Sequence, residues 1–147
     1  MRDNYGYIVE CYLELQYKSV YPFVNKIELA NFAEKSKLLD DKLNMANCDL
    51  LFVMANDNKK GNIKQKMGLI RSEFIEYLVR LSAFKFINSG ICSTFYESVK
   101  KVIEDYMKPN FHPMPWQKFR DEELWTLEVN DVFETNLDGV QRLHKAY

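Results

Sequence analysis

At 147 residues, with 47% hydrophobic and 28% charged residues, the chain is long and apolar enough to bury a core, which excludes a disordered or low-complexity polymer. A formal net charge of −1 supplies no overall field for nucleic acid or an anionic membrane. The three cysteines, Cys11, Cys48 and Cys92, are odd in number, far apart and without CxxC spacing, so reduced thiols are expected rather than disulfides or zinc ligands.

The opening segment MRDNYGYIVE lacks the apolar centre of a signal peptide, and no run approaches a membrane span. The expected location is the cytoplasm or cytoskeleton. An aromatic share of 14% is more ring than a small interior needs, which favours a protein partner.

In chain order, Tyr5–Lys18 reads as a helix with Ile8, Cys11, Tyr12 and Leu15 on one face and Asn4 as N-cap. Pro22 ends it, and YPFVN is a short extended link. This helix either packs across the elements that follow or is an arm that docks on a neighbour.

Ile27–Phe86 holds the strongest pattern. A helix is predicted over Glu28–Ser36, with Leu29, Phe32 and Ala33 inward. A turn at Lys37–Lys42 leads to a second helix over Met45–Ala55, capped by Asn44. Cys48, Leu51, Phe52 and Ala55 form its stripe, while Leu50 and Met54 off that stripe predict burial on two sides. A polar link, Asn56–Gly68, carries Lys59, Lys60, Lys64 and Lys66, with Asp57 as its one anion. It is either a solvated loop or a basic finger for an acidic surface. The next helix, Ile70–Phe86, places Ile70, Phe74, Tyr77, Leu78, Leu81 and Phe84 on one face. Arg71, Glu76, Arg80 and Lys85 fall mainly on others, and the i,i+4 spacing of Glu76 and Arg80 predicts a surface pair.

After the loop INSGICST, capped by Ser93 or Thr94, a helix over Phe95–Met107 lines up Phe95, Val99, Val102, Ile103 and Tyr106. Pro109, Pro113 and Pro115 then bar regular helix through a segment that holds Phe111, Trp116 and Phe119. That aromatic strap either covers the core or is presented to a partner. Asp121–Trp125 reads as a short helical turn, and Thr126 caps Leu127–Thr135. Asn136 caps a final helix with Val140, Leu143 and Tyr147 inward. The expected fold is all-α: one domain over residues 1–147, with a helical pair at 27–86 and further helices over 93–147.

Familiar catalytic chemistry has no anchor. His112 and His144 are the only histidines, no GxSxG or phosphate-cradling loop is present, and nothing in their spacing pairs Cys92 with His112. Asp40–Asp41 is explained by a solvated turn. No enzyme, cofactor or metal site is expected.

The order of helices and links resembles a paired EF-hand. With Glu73 at the twelfth loop position, earlier ligand positions fall on Asn62, Lys64 and Lys66, with Met67 where glycine is wanted. The other unit, SKLLDDKLNMAN, puts Leu38 and Leu39 in its loop and offers only Asp40 and Asp41. Lysines in place of carboxylates repel a divalent cation, so tight calcium binding is not expected. The competing reading, a calcium-responsive regulator, requires unusual use of Asp57, Asn58, Asn62 and Glu73.

The runs FAEKSKLLDD…NCDLLFVMAN and RSEFIEYLVRLSAFKF resemble an EF-hand-derived helical module of ciliary and flagellar proteins. Phe32, Leu38, Leu39, Asp40, Asp49, Phe52, Ala55, Asn56, Arg71, Glu73, Phe74, Arg80 and Lys85 occupy its pattern. The tail continues it with Phe119–Arg120, Trp125–Thr126 and Tyr147. A looser likeness extends to the tubulin-polymerisation-promoting family, which has a similar helix before a basic link. The resemblance implies a non-enzymatic axonemal component that binds tubulin or other axonemal proteins. The contacts it suggests are Lys59, Lys60, Lys64 and Lys66 in the basic link, and Phe111, Trp116 and Phe119 in the strap.

Overall fold

The computed structural model describes residues 4–56 and 68–146. All regular elements among them are helices, as the periodicity predicts: α1 (Tyr5–Tyr17), α2 (Lys26–Lys35), α3 (Met45–Ala55), α4 (Arg71–Ser82), α5 (Phe95–Lys101), α6 (Trp116–Phe119), α7 (Leu127–Thr135) and α8 (Leu137–Ala146). Three continue directly into wider π-helical turns: α4 into Ala83–Ile87, α5 into Val102–Met107 and then Lys108–Asn110, and α6 into Arg120–Leu124. The chain divides into two compact units, 1–113 and 114–147. The division falls between Pro113 and Pro115, whose rings lack the N–H that a continuing helix requires.

In the first unit α1 buries Ile8, Cys11, Tyr12 and Leu15, the face that the sequence predicts. Asn4 does not cap it; its amide instead donates to Glu104 Oε1 at 3.0 Å. α2 starts earlier than periodicity suggests because Asn25 Oδ1 accepts from the Glu28 N–H at 2.9 Å, satisfying one of the first-turn donors. Asn44 caps α3 in the same way, through the Asn47 N–H at 3.0 Å.

The link between α1 and α2 meets the segment before α4 at a single antiparallel bridge. Val24 N–H donates to Leu69 O at 2.9 Å, and Leu69 N–H returns to Val24 O at 2.8 Å. Each bridging residue is followed by the first cap of a helix, Asn25 or Ile70, and by a glutamate at its third helical position, Glu28 or Glu73. The bridge joins the link after α1 to the segment before α4, a meeting that sequence alone does not show, since a one-residue bridge carries no alternation by which to find it.

Gly68 is the residue that this approach requires: a Cβ there would lie 2.2 Å from Val24 O. Around the bridge, Phe32 stands edge-on to Phe74 at 5.9 Å and to Phe111 at 5.0 Å, and Tyr12 tilts against Phe74 at 5.7 Å. α3 packs on α2 and α4, and α5 packs on α4 and its π turn.

Pro109 does not stop the helix that holds it. The preceding π turn, with Lys108 N–H on Ile103 O, shifts the hydrogen-bond register and makes room for a ring that an unbroken α-helix would reject. Other expected burials fail. Ile70 is the N-cap of α4 and 37% exposed, and Phe95, in the first turn of α5, is 61% exposed.

In the second unit none of the described side chains in α7 and α8 is buried. Thr126 caps α7 as predicted. Asn136 turns its amide back to Val132 O rather than capping α8, and Val140 and Leu143 are exposed rather than inward. Tyr147 lies outside the described residues. No described helix is long and apolar enough to cross a membrane.

Candidate interaction surface

Of the residues expected to meet a partner, Phe111 falls in one unit and Trp116 and Phe119 in the other. Lys59, Lys60, Lys64 and Lys66 lie outside the described residues. Phe111 belongs to the core: it is 6% exposed, packs on Phe32, and receives the Tyr7 hydroxyl on its carbonyl at 2.7 Å. A ring committed to the interior has little face left for a partner. Trp116 is half-buried and Phe119 is 41% exposed, both on α6 of the second unit. The strap is thus two things: an anchor at Phe111 in one unit and the start of a helix in the other.

An apolar surface appears instead on α3. Cys48, Leu51 and Ala55 face the core, yet Leu50, Val53 and Met54 on the other side are 56%, 66% and 49% exposed. The sequence reading expected Leu50 and Met54 to be buried; α2 and α4 cover only one side of this helix. An apolar α3 with no polar face was the available signal, and burial on two sides was the wrong inference from it. Lys26 pairs with Asp49 between α2 and α3 at 2.7 Å, an exposed contact worth little energy.

The second notable constellation is Lys85. Its ammonium is buried, donating to Leu38 O at 2.8 Å and to Asp40 Oδ2, with the Phe86 and Tyr106 rings 5.7 and 5.3 Å away. Two π turns, those after α4 and α5, supply Lys85, Phe86 and Tyr106. Asp40 Oδ1 also accepts from the Lys42 and Leu43 N–H groups. Burial pushes the Asp40 carboxyl up, but the Lys85 and backbone hydrogen bonds outweigh it and hold the group below its usual range. Beside the pair is a cavity of about 230 Å³ lined by Asp41, Lys42 and Ile91 as well. Its two acids and two lysines balance, and Lys85 is already engaged, so the arrangement fastens the 38–43 turn to the helical core rather than offering a free charge. Sequence reading assigned Lys85 to an outer face. The available signal was its spacing, four residues after Leu81 and seven after Leu78, which continues the apolar stripe.

Cys11 and Cys48 are buried thiols, and Cys92 is half-buried. Burial pushes Cys11 up to about 12 and also raises Cys48. The predicted Glu76–Arg80 pair forms, with Nε and Nη2 at 2.8 and 2.6 Å from Oε1. Among the described residues no group of three or more acidic, histidine or cysteine side chains could hold a metal. Compared with known proteins, the chain matches no family model, no curated protein and no solved structure.

Proposed function

We propose that this chain is a non-enzymatic, protein-binding component of the ciliary axoneme, associated with microtubules and built on a calcium-independent EF-hand-like scaffold. The observation that carries the protein-binding part is the outward face of α3, where Leu50, Val53 and Met54 stand in water on a helix whose other side is fully committed to the core. Exposed aliphatic and methionine side chains in a helical row suit a partner helix or groove.

The axonemal part rests on the resemblance. Its pattern residues meet one another as scaffold: Phe32 with Phe74, and Asp40 with Lys85. The EF-hand likeness is supported by the bridge, because Val24 and Leu69 each lie four residues before a first-turn glutamate, Glu28 and Glu73, the latter at the twelfth loop position. Calcium independence is supported by how the oxygens are used. Glu73 Oε2 accepts from the Ile70 N–H at 3.0 Å, Asn25 Oδ1 caps α2, and Ser19 Oγ accepts from the Asn25 N–H at 3.1 Å.

The test is to express the tagged chain in a ciliated cell and extract with detergent, comparing wild type with Leu50→Asp. Retention of wild type on the axoneme until high salt, and release of Leu50→Asp at low salt, is expected. Complete release of the wild type would overturn the axonemal reading; equal retention of the variant would overturn the α3 face as the contact.

A further inference from the structure

The second unit carries one sign of charge over half its length. Residues 121–138 hold seven acidic side chains and no lysine or arginine, a charge of −7 within a chain whose net charge is −1. The same stretch exposes large apolar groups: Trp125, Leu127, Val132 and Phe133 are 65%, 73%, 62% and 51% exposed. Leu124, Trp125, Leu127, Val129 and Phe133 line an open cleft of about 610 Å³. Among the described residues of this unit no side chain is buried, and none of the three cysteines lies in it. A segment so small, without core or cross-link, draws its stability from what it associates with.

We propose that the α7 cleft takes a basic amphipathic helix of a protein partner, its apolar side on the cleft and its lysines or arginines against the surrounding carboxylates. Val129, Val132 and Phe133 are spaced i, i+3 and i+4, the row by which one helix packs on another. At about 100° per residue, Glu128 and Glu134 fall on either side of that row and Asp131 behind it. An occupant seated on the row therefore meets acid at both margins.

Those acids are available. Glu122 pairs with Lys118 at 3.7 Å and Glu134 accepts from the Asn130 amide at 3.0 Å, but among the described residues no ion pair engages Glu128 or Asp131. Sign selects the class of partner: this field repels nucleic acid and anionic membranes and attracts a lysine-rich or arginine-rich surface. The cleft adds what charge lacks, a place for a large apolar anchor against Trp125 and Phe133. The nine residues of α7 span about 14 Å, a match for roughly three turns of a partner helix. This surface lies in a different unit from the α3 face, and the two proposals fail independently.

Two labelled peptides of roughly 14 residues, titrated with the full chain and read by fluorescence anisotropy, test the proposal. One places leucines on a single helical face and lysines elsewhere; the other has the same composition in an order that breaks the face. The amphipathic peptide is expected to bind with a dissociation constant on the order of tens of micromolar at low salt, about tenfold weaker at about 0.5 M salt, and to become helical by difference circular dichroism. The scrambled peptide should bind at least about tenfold more weakly. Phe133→Ala, and separately the triple change Glu128→Gln, Asp131→Asn and Glu134→Gln, should each weaken binding by about tenfold. All four side chains are exposed, so the helicity of the chain itself should hold in both variants. Equal binding of the two peptides would reduce the effect to bulk charge and overturn the proposal, as would indifference to Phe133→Ala or no binding up to about 500 μM. Salt-sensitive self-association of the chain alone, lost in the triple variant, would give the face to a second copy and overturn it as well.

Discussion

Lys85 reaches Asp40 across 45 residues of sequence, and the two are unequally placed: the lysine side chain is 4% exposed, the aspartate 46%. The inequality decides which partner matters more. Without the Asp40 charge, a buried ammonium keeps only Leu38 O and two ring faces. Without the ammonium, Asp40 still has water and two backbone N–H donors. Breaking a fully buried pair costs 3–5 kcal/mol, discounted here because one partner is solvated. Asp40→Asn is therefore expected to lower the unfolding free energy by about 2 kcal/mol and Lys85→Met by about 1 kcal/mol or less, read from urea denaturation. Adding Lys85→Met to Asp40→Asn should restore part of the loss.

The same pair sets an acid limb. The Asp40 carboxyl is held below its unfolded value of 3.8. Its contribution is thus complete above that value and is lost as the pH falls through the lower, folded one. Wild type should lose stability in that window more steeply than Asp40→Asn. Parallel limbs for the two proteins would show that the pair does not couple to folding.

Gly68 holds the second expectation. With Val24 O only 2.2 Å from the place of a Cβ, Gly68→Ala must part the bridge or push the backbone. Loss of two buried backbone hydrogen bonds or the equivalent strain amounts to about 2–3 kcal/mol. Gly139→Ala, where a Cβ meets nothing, should instead raise helicity slightly. Amide exchange at Val24 and Leu69 reports directly: both should lose protection in Gly68→Ala.

How much of this was legible in the chain differs by element. The inner faces of α1, α2 and α4 were readable, since 3.6-residue periodicity follows from burial against one neighbour. The meeting of Val24 with Leu69 was not, because it is a single bridge, and neither was the early start of α2, because its cap, Asn25, lies in a segment that Pro22 marks as a link. Leu50 and Met54 were misplaced because an apolar helix reads the same whether its second side meets protein or water. Phe111 and Phe119 sit eight positions apart in similar surroundings, and only the fold assigns one to the core and the other to a separate unit.

Thiol chemistry gives a third outcome. Cys11 and Cys48 are buried and their pKa values raised, Cys11 to about 12, whereas Cys92 is half-buried. A disulfide reagent at pH 8 should modify Cys92 first, and the other two only at the rate of unfolding. Mass mapping of the labelled peptides identifies the sites. Rapid labelling of Cys48 in the native protein would mean that α3 leaves α4 far more often than a packed helix should.

Lys37 closes α2 with a φ of 54°, the left-handed conformation that glycine ordinarily supplies after a helix. The hydrogen bonds are those of a complete C-terminal motif, Leu38 N–H to Ala33 O and Lys37 N–H to Glu34 O, both at 2.9 Å. The geometry is therefore fixed, and only the residue is unfavourable. A side chain in that region costs roughly 1–2 kcal/mol, against about 0.4–1 kcal/mol that glycine loses through its freer unfolded chain. Lys37→Gly should consequently stabilise the protein by about 0.5–1 kcal/mol, and Lys37→Ala should gain nothing, since alanine keeps the Cβ. Thermal or urea melts of the two variants separate the causes. An equal gain in both would locate the effect in the lysine charge beside Lys35 rather than in the backbone.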